Sequence, residues 1–250
     1  MSVVLVHGVP ETPALWDPLR AHLRRSDVEA LQLPGFGCPR PEGFGATKEE
    51  YVAWLAGQVE RLAADSPVDL VGHDWGGGFV ARVVSARADL VRSWVTDAAG
   101  VADPAFQWHE FARIWQTPGA GEDFFDQWLA SPAEEQAGVF EQFGVPREHA
   151  LAIAGRLDRT MAGCILALYR SAVEVGREWA PGFRDVPAPG LVVIPSEDPF
   201  LSPEGARRAA RNAGAGVADL VGLGHWWMLQ DPARGAGMLE RFWASLGVGL

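Results

Sequence analysis

The chain alternates short apolar runs with segments of helical periodicity. Six apolar runs, each bounded by Gly, Pro or Asp, have the length and continuous hydrophobicity of buried parallel strands. They are SVVLVHG (2–8), VEALQLPG (28–35), VDLVGH (68–73), VRSWVTD (91–97), GLVVIPS (190–196) and VADLVGLG (217–224). Helical spacing covers residues 15–25, 48–64, 79–87, 203–212 and 232–246. This alternation predicts an α/β fold with a mostly parallel sheet of about six strands and helices on both faces.

One long interval interrupts the alternation. Between residues 101 and 185 the sequence has no strand-like run, only amphipathic helical stretches rich in Trp and Phe. We therefore predict a core domain formed by residues 1–100 and 186–250, and a helical cap (lid) domain of residues 101–185 inserted after the fourth strand. The first strand, SVVLV, is expected to form or approach an edge of the sheet.

Composition narrows the class of protein. A chain of 250 residues with 48% hydrophobic content can bury one sizeable core. Its net charge of -11 argues against nucleic acid and anionic membranes as partners. Two cysteines are too few for a disulfide framework, and neither a signal-like segment nor a run of about eighteen apolar residues is present. We expect a cytoplasmic protein and leave a homodimer open.

The segment VGHDWGG, residues 71–77, has the spacing of a strand–turn–helix elbow. Its glycines relieve crowding in a tight turn, so that Asp74 is expected to stand at the carboxyl edge of the sheet. The simpler interpretation is an aspartate that caps the following helix. As a nucleophile, an ionised Asp74 would displace a leaving group from a saturated carbon and form an ester, whereas serine attacks an acyl carbon.

Two further segments accompany this elbow, HGVPETPALW from His7 and VGLGHWWMLQDP around His225. Together the three resemble the α/β-hydrolase fold, in its aspartate-nucleophile branch of epoxide hydrolases and haloalkane dehalogenases. The resemblance covers nearly the whole chain and is weakest in the lid. It implies Asp74 as nucleophile, His225 as the base that activates water, and the backbone N–H groups of Val9 and Trp75 as the oxyanion hole. It implies no cofactor and no metal.

Two aspartates are candidates for the acid that orients His225. Asp198 lies on the loop after GLVVIP and matches the epoxide-hydrolase position, whereas Asp97 ends an earlier strand, where some dehalogenases carry the acid. We favour Asp198, which has Pro199 beside it and Pro203 ahead, and keep Asp97 as the alternative. An aspartate at a strand end or turn has an ordinary structural role when it is not the acid.

The lid residues bear on the leaving group. Tyr169, in ALYRS, resembles the tyrosine that an epoxide hydrolase places over its nucleophile, although a packed lid aromatic is the simpler interpretation. The stretch DPAFQWHEFARIWQTPG has no second tyrosine, so Trp108 or His109 is expected to supply a second hydrogen bond. Val9 stands where haloalkane dehalogenases commonly present Asn to the halide.

These features favour an epoxide hydrolase that produces a diol. A haloalkane dehalogenase-like enzyme that uses the same Asp74 ester is the alternative, and a non-catalytic ligand-binding protein is a second one. Eleven tryptophans suggest a bulky, hydrophobic, aromatic or alicyclic small molecule as the partner. The residues expected to line its pocket are His7, Trp108, His109, Trp115 and Trp226.

Overall fold

A computed structural model of the chain, which describes residues 2–247, contains one sheet of six strands. The strands are β1 (Val3–Val6), β2 (Val28–Leu31), β3 (Val68–Gly72), β4 (Val91–Thr96), β5 (Gly190–Pro195) and β6 (Gly216–Leu220). Their order is β2-β1-β3-β4-β5-β6, and every neighbouring pair is parallel. All six predicted strands are confirmed. β1 approaches the edge without forming it, because β2 lies outside it.

Helices fill the intervals between the strands. In the described residues they are α1 (Asp17–Arg20), α2 (Lys48–Leu62), α3 (Trp75–Ala86), α4 (Glu110–Gln116), α5 (Ala120–Ala130), α6 (Ala133–Gln142), α7 (Arg147–Ala154), α8 (Arg159–Ser171), α9 (Val175–Trp179), α10 (Pro203–Ala213), α11 (Trp227–Gln230) and α12 (Pro232–Ser245). The helix predicted over residues 15–25 is wrong in length, because only a 3-10 turn, Pro13–Trp16, and the short α1 form there. The chain then turns so that the Arg25 guanidinium bonds to the buried Asp69 carboxylate, 2.5 Å away.

The sheet is covered on both faces, as its strands require. Along β1, Val4 and Val6 join one apolar cluster, whereas Val3 and Leu5 join the other, and all four side chains are buried. Burial on both faces is typical of parallel sheets and explains why the strands are apolar without alternation. Since all strands run in the same direction, the loops that follow β1, β3, β4 and β5 meet at one edge of the sheet.

The interval between β4 and β5 is helical, as expected from the sequence. It contains α4 to α9 and, across residues 101–185, no strand. Within it α8 packs against α4 and α5, and it also contacts α2 beside the sheet. Among the residues that the structure describes, no helix is long and apolar enough to cross a membrane.

Candidate active site

The turn between β3 and α3 carries Asp74 in a conformation that side chains rarely adopt, with φ 50° and ψ -124°. Two glycines make this turn possible. A Cβ on Gly72 would lie 2.4 Å from the Gly76 carbonyl oxygen, and a Cβ on Gly76 would lie 2.3 Å from the Val6 carbonyl oxygen. α3 therefore begins against the backbone of β1, and the strained residue is presented at the carboxyl edge of the sheet.

Backbone donors hold one side of the Asp74 carboxylate. The Val9 N–H donates to Oδ1 over 2.9 Å, and the Trp75 N–H lies near enough to this carboxylate to lower its pKa. The second oxygen, Oδ2, lies 3.7 Å from His225 Nε2, beyond hydrogen-bond length. Burial raises the pKa of Asp74, while the charges of His225 and His73 and the two N–H groups oppose that rise. Oδ1 is thus held by the Val9 N–H, and Oδ2 has no hydrogen bond to His225.

His225 is paired with Asp198. Its Nδ1 lies 2.8 Å from Asp198 Oδ2, and Asp198 Oδ1 accepts the Phe200 N–H over 2.8 Å. Burial lowers the pKa of His225, but Asp198, Asp74 and Asp97 raise it to about 10. The structure therefore brings together three of the predicted residues, Asp74, His225 and Asp198, at the edge where the loops after β3 and β5 meet.

Asp97 contacts a different histidine. Its Oδ2 lies 2.6 Å from His73 Nδ1 and accepts the Trp227 indole N–H over 2.8 Å, while Oδ1 accepts the Asp74 backbone N–H over 2.9 Å. Burial lowers the pKa of His73, but the charge and the hydrogen bond of Asp97, together with the charge of Glu11, raise it overall. Asp97 therefore stabilises the turn that carries Asp74 by bonding to its backbone N–H, and in this structure it is not the hydrogen-bond partner of His225.

Glu11 completes a buried polar group behind the nucleophile. Its Oε1 accepts the Trp226 indole N–H over 2.8 Å and lies 4.0 Å from His73 Nε2. Glu11 Oε2 and His73 Nε2 are buried, and neither has a hydrogen-bond partner among residues 2–247. Ligand atoms of Glu11, His73 and His225 lie within 4.8 Å of one another. These three side chains could hold a small polar guest, a metal ion or a water molecule.

Tyr169 lies on α8 and lines the same cavity as Asp74. Its ring is 5.4 Å from the Trp75 ring and 4.8 Å from the Trp115 ring, measured between centroids. Burial, and then the charge of Asp74, raise its pKa well above the usual value, so the phenol keeps its proton. The other tyrosine, Tyr51, donates to the Pro34 carbonyl inside the core.

The cavity next to Asp74 has an almost entirely apolar lining. Its lining residues are Val9, Pro10, Asp74, His109, Phe111, Trp115, Phe124, Phe125, Trp128, Val139, Phe140, Phe143, Leu157, Ile165, Tyr169, Phe200, His225 and Trp226. No arginine or lysine is among them. The indole N–H groups of Trp115 and Trp128 are buried without a partner in the described chain. An uncharged apolar molecule with an acceptor group fits this lining.

Of the residues expected in the pocket, His109, Trp115 and Trp226 line this cavity, whereas two others differ. His7 is fully buried and lies outside the lining, because its ring joins two loops: Nδ1 bonds to the Gly8 carbonyl and Nε2 accepts the Leu33 N–H. Trp108 borders a smaller adjoining cavity. Its indole N–H donates to the Ala172 carbonyl over 3.0 Å, so it is not free for a substrate.

His109 has a free N–H donor, whereas the indole N–H of Trp108 is already bonded. Its Nδ1 accepts the Ala112 N–H over 3.2 Å, which leaves the proton of a neutral ring on Nε2. Burial, together with the charge of His225, lowers its pKa to about 4, so the ring is neutral near pH 7. Of the two residues considered for a second hydrogen bond, only His109 therefore has an available N–H.

Sequence reasoning missed several residues of the site. Glu11 and His73 belong to the motifs HGVPE and GHDWGG. Their ionisable side chains within otherwise apolar motifs were the signal that could have indicated a place in the site. Phe200 follows Asp198 and contacts the rings of both His109 and His225, with centroids 5.1 and 5.0 Å away. Nothing in its sequence pattern indicated that contact, because it depends on how two distant loops meet.

Comparison with known proteins gives a family match over most of the chain. The model described as "Alpha/beta hydrolase family" matches residues 3–237. A similar curated protein is (E)-2-((N-methylformamido)methylene)succinate hydrolase of Acinetobacter baylyi, which is 25% identical over 220 residues, covering 88% of this chain and 81% of the relative.

Solved structures share the fold at low identity. E-2-(acetamidomethylene)succinate hydrolase has a TM-score of 0.73 at 19% identity, with 97% of this chain and 91% of that chain covered. Haloalkane dehalogenase DbeA from Bradyrhizobium elkani also has a TM-score of 0.73 at 19% identity, with 98% and 91% covered. At this identity the likeness concerns the fold and not the substrate.

Proposed function

The chain belongs to the alpha/beta hydrolase family, and from this we propose that it is an epoxide hydrolase that converts a bulky, uncharged, apolar epoxide to a diol. The observation that carries the proposal is the environment of the Asp74 carboxylate. Its Oδ1 accepts the Val9 N–H, where an oxyanion would form, while Oδ2 lies 3.7 Å from His225 Nε2 and remains free to attack. A serine at residue 74 would offer one oxygen only and could not do both.

In the first step, Asp74 Oδ2 attacks an epoxide carbon and the carbon–oxygen bond of the ring breaks. The new alkoxide takes the proton of the Tyr169 phenol, and His109 Nε2–H is the second donor to that oxygen. The raised pKa of Tyr169 supports this role, because the phenol is protonated before the reaction. The product of the step is an ester between Asp74 and the substrate.

In the second step, water hydrolyses the ester. His225 accepts the proton of the water, which attacks Cγ of Asp74, and the resulting oxyanion is held by the N–H groups of Val9 and Trp75. One such donor contributes about 3 kcal/mol in comparable sites. Collapse expels the alkoxide, which takes the proton from the His225 imidazolium and leaves as the diol. The proton of the carboxylic acid formed at Asp74 returns to the Tyr169 phenolate, which restores the phenol and a carboxylate with one oxygen from water. The buried, unpartnered atoms Glu11 Oε2 and His73 Nε2 suit a water in this position.

The segment of residues 101–185 acts in this proposal as a cap domain over the core of residues 1–100 and 186–250. It supplies Tyr169 from α8 and most of the aromatic side chains of the cavity. The succinate hydrolases among the similar proteins act, by their names, on dicarboxylates. A cavity without arginine or lysine argues against such a substrate here.

Trapping the ester tests the proposal. His225→Gln is expected to form the ester and to hydrolyse it slowly, so that mass spectrometry finds trans-stilbene oxide attached at Asp74. Asp74→Asn is the matched control and should carry no adduct. In the wild type, one turnover in H₂¹⁸O should place ¹⁸O in Asp74 before it appears in the diol. Absence of any adduct with epoxides and bromoalkanes alike would favour a non-catalytic binding protein.

A second candidate is a dehalogenase that uses the same ester. The unpartnered indole N–H groups of Trp115 and Trp128 favour it, because a departing halide ion accepts hydrogen bonds from N–H groups and does not need to be protonated. Parallel assays with aryl epoxides and bromoalkanes separate the two candidates. Diol formation without halide release supports the epoxide hydrolase, and halide release with no diol supports the dehalogenase.

A further inference from the structure

The last turn of α8 carries Tyr169 and ends on carbonyl groups that side chains from other elements satisfy. Gln116, at the end of α4, donates to the Tyr169 carbonyl over 3.2 Å. Lys48 Nζ donates to the Ser171 carbonyl over 2.6 Å, and the Trp108 indole donates to the Ala172 carbonyl over 3.0 Å. The final carbonyls of a helix lack the N–H partner four residues on; here the Ala172 N–H also donates to the Tyr169 carbonyl and the Val175 N–H to the Ala172 carbonyl. Three distant donors therefore converge on the end that holds the proposed acid.

Lys48 makes the shortest of these three hydrogen bonds, and its residue type is unusual in this chain. It is the single lysine among 21 basic residues, and only 4% of it is exposed. Its backbone N–H also bonds to Ser171 Oγ over 2.8 Å, so that the first residue of α2 grips Ser171 twice. Glu49 and Glu178 pair with its ammonium group, at 2.5 and 2.9 Å. A compact ammonium suits a single carbonyl better than a guanidinium fork does.

This contact bears on the position of Tyr169 in the cavity that it lines together with Asp74. The rings of Trp75 and Trp115 meet the phenol ring edge to face, while the position of the Tyr169 backbone depends on the last helical turn. Helix ends fray because their hydrogen bonds are few, and a buried cation at the carboxyl end opposes fraying. One residue of unwinding displaces the chain by about 1.5 Å, and about 1 Å is enough to impair a positioned catalytic group.

We propose that Lys48, together with Gln116, is a positioning residue that fixes the end of α8 to the core as a clamp and so holds the Tyr169 phenol in the cavity that it shares with Asp74. The catalytic part of this inference rests on the proposed role of Tyr169. The clamp itself is a statement about structure, and it can be tested without turnover. Lys48 touches neither Asp74 nor the main cavity, so its effect on the reaction is indirect.

Fluorine NMR tests the clamp directly. Protein labelled with 3-fluorotyrosine has only two tyrosine resonances, and Tyr51→Phe assigns them. Lys48→Met keeps the aliphatic stem and is expected to shift or broaden the Tyr169 resonance. Arg170→Met is the matched control, since it removes one positive charge from the same turn, where Arg170 pairs with Glu122 and with no end carbonyl. An equal change in both variants would assign the effect to charge and overturn the inference.

A rate measurement tests the consequence. In the His225→Gln background, Lys48→Met should slow ester formation from trans-stilbene oxide by about tenfold to a hundredfold. Ester formation from a bromoalkane, if the wild type accepts one, should keep its rate because bromide needs no proton. Arg170→Met should match the parent protein with both substrates. An unchanged rate with the epoxide would show that the clamp does not serve Tyr169.

A second variant protects the test against misfolding. Gln116 is half-buried, and Gln116→Met removes the donor to the Tyr169 carbonyl while it leaves Lys48 in place. Circular dichroism identifies which variants are folded. If the wild type forms no ester with any epoxide, the proposed function fails, yet the NMR comparison still decides the clamp. A Tyr169 resonance unchanged in every folded variant of Lys48 and Gln116 would overturn it.

Discussion

At the scale of single residues, the site is built from paired acids and histidines. His225 lies against Asp198 and His73 lies against Asp97, and the two imidazole rings are 4.6 Å apart between centroids. Each pair keeps one ring nitrogen bonded to a carboxylate and leaves the other for chemistry or for water. The consequences of this arrangement are clearest for His225 and for Glu11.

The pH dependence of ester hydrolysis follows from His225. Burial lowers its pKa, and Asp198, Asp74 and Asp97 raise it to about 10 in the free protein. Ester formation neutralises Asp74 and removes one of those charges, so the pKa of His225 in the ester should lie below 10. Because only the neutral imidazole accepts a proton, the hydrolysis rate should rise with pH through that pKa and then level off.

A pH jump on a preformed ester, with quenching and mass spectrometry, measures this rate. His225→Gln is the control and should give a slow rate without this dependence. A hydrolysis rate that fell as the pH increased would be incompatible with His225 as the base.

Glu11 gives a second expectation at this scale. Burial raises its pKa, and the charge of His73 opposes the rise. Glu11→Gln can still accept the Trp226 indole N–H, but it replaces the carboxylate oxygen Oε2 with an amide donor, which should disturb the binding of a hydrolytic water at that position. We expect ester hydrolysis to slow by about tenfold or more, with ester formation unchanged. Rapid-quench mass spectrometry should therefore find accumulated ester, and a loss confined to ester formation would contradict this role.

At the scale of elements, the elbow depends on how closely α3 approaches β1. The helix begins at Trp75, four residues before the expected start at residue 79, because Gly76, Gly77 and Gly78 are helical. The sequence suggested a glycine-rich turn there. Glycine is unfavourable inside a helix, but the close approach to the Val6 carbonyl leaves no room for a side chain on Gly76.

A pair of glycine substitutions tests this packing. Gly76→Ala should lower the free energy of unfolding by about 2 kcal/mol or more, because the new Cβ meets backbone rather than a flexible side chain. Gly57→Ala, inside the exposed part of α2 with nothing within 4 Å, should raise it by about 1 kcal/mol. Urea unfolding of both variants measures the difference. Equal effects in the two variants would mean that α3 does not contact β1 as described.

At the scale of the whole molecule, charge and cavity lining act together on the choice of substrate. The chain carries a net charge of -11, and the cavity offers no arginine or lysine beside Asp74. Two negative charges 6 Å apart repel by about 3 kcal/mol at an effective dielectric constant of about 20. A substrate that carries a carboxylate should therefore bind and react poorly.

Matched epoxides test this selectivity. Relative to 4-carboxamido-stilbene oxide, the 4-carboxylate should have a kcat/KM about 100-fold lower, since about 1.4 kcal/mol corresponds to a factor of ten. The carboxamide controls for size and polarity. Steady-state diol formation at pH 7 measures both values. A preference for the carboxylate would show that the pocket recognises acids despite its lining.

The sequence by itself determined the strands and pointed to the candidate site residues. Apolar runs marked all six strands, and the inner strands β1, β3, β4 and β5 are apolar without alternation because both of their faces are buried. Local motifs marked Asp74 and His225 because an elbow and a glycine-flanked loop are formed by neighbouring residues. The acid was left open, since Asp198 and Asp97 both end strands at the same sheet edge.

Only the tertiary structure decided which partner each group has. It paired His225 with Asp198 and His73 with Asp97. It also placed His7 between two loops and directed the Trp108 indole N–H to the Ala172 carbonyl. The grip of Lys48 on Ser171 joins residues 123 positions apart. No local pattern records such contacts, because they depend on the packing of elements that are distant along the chain.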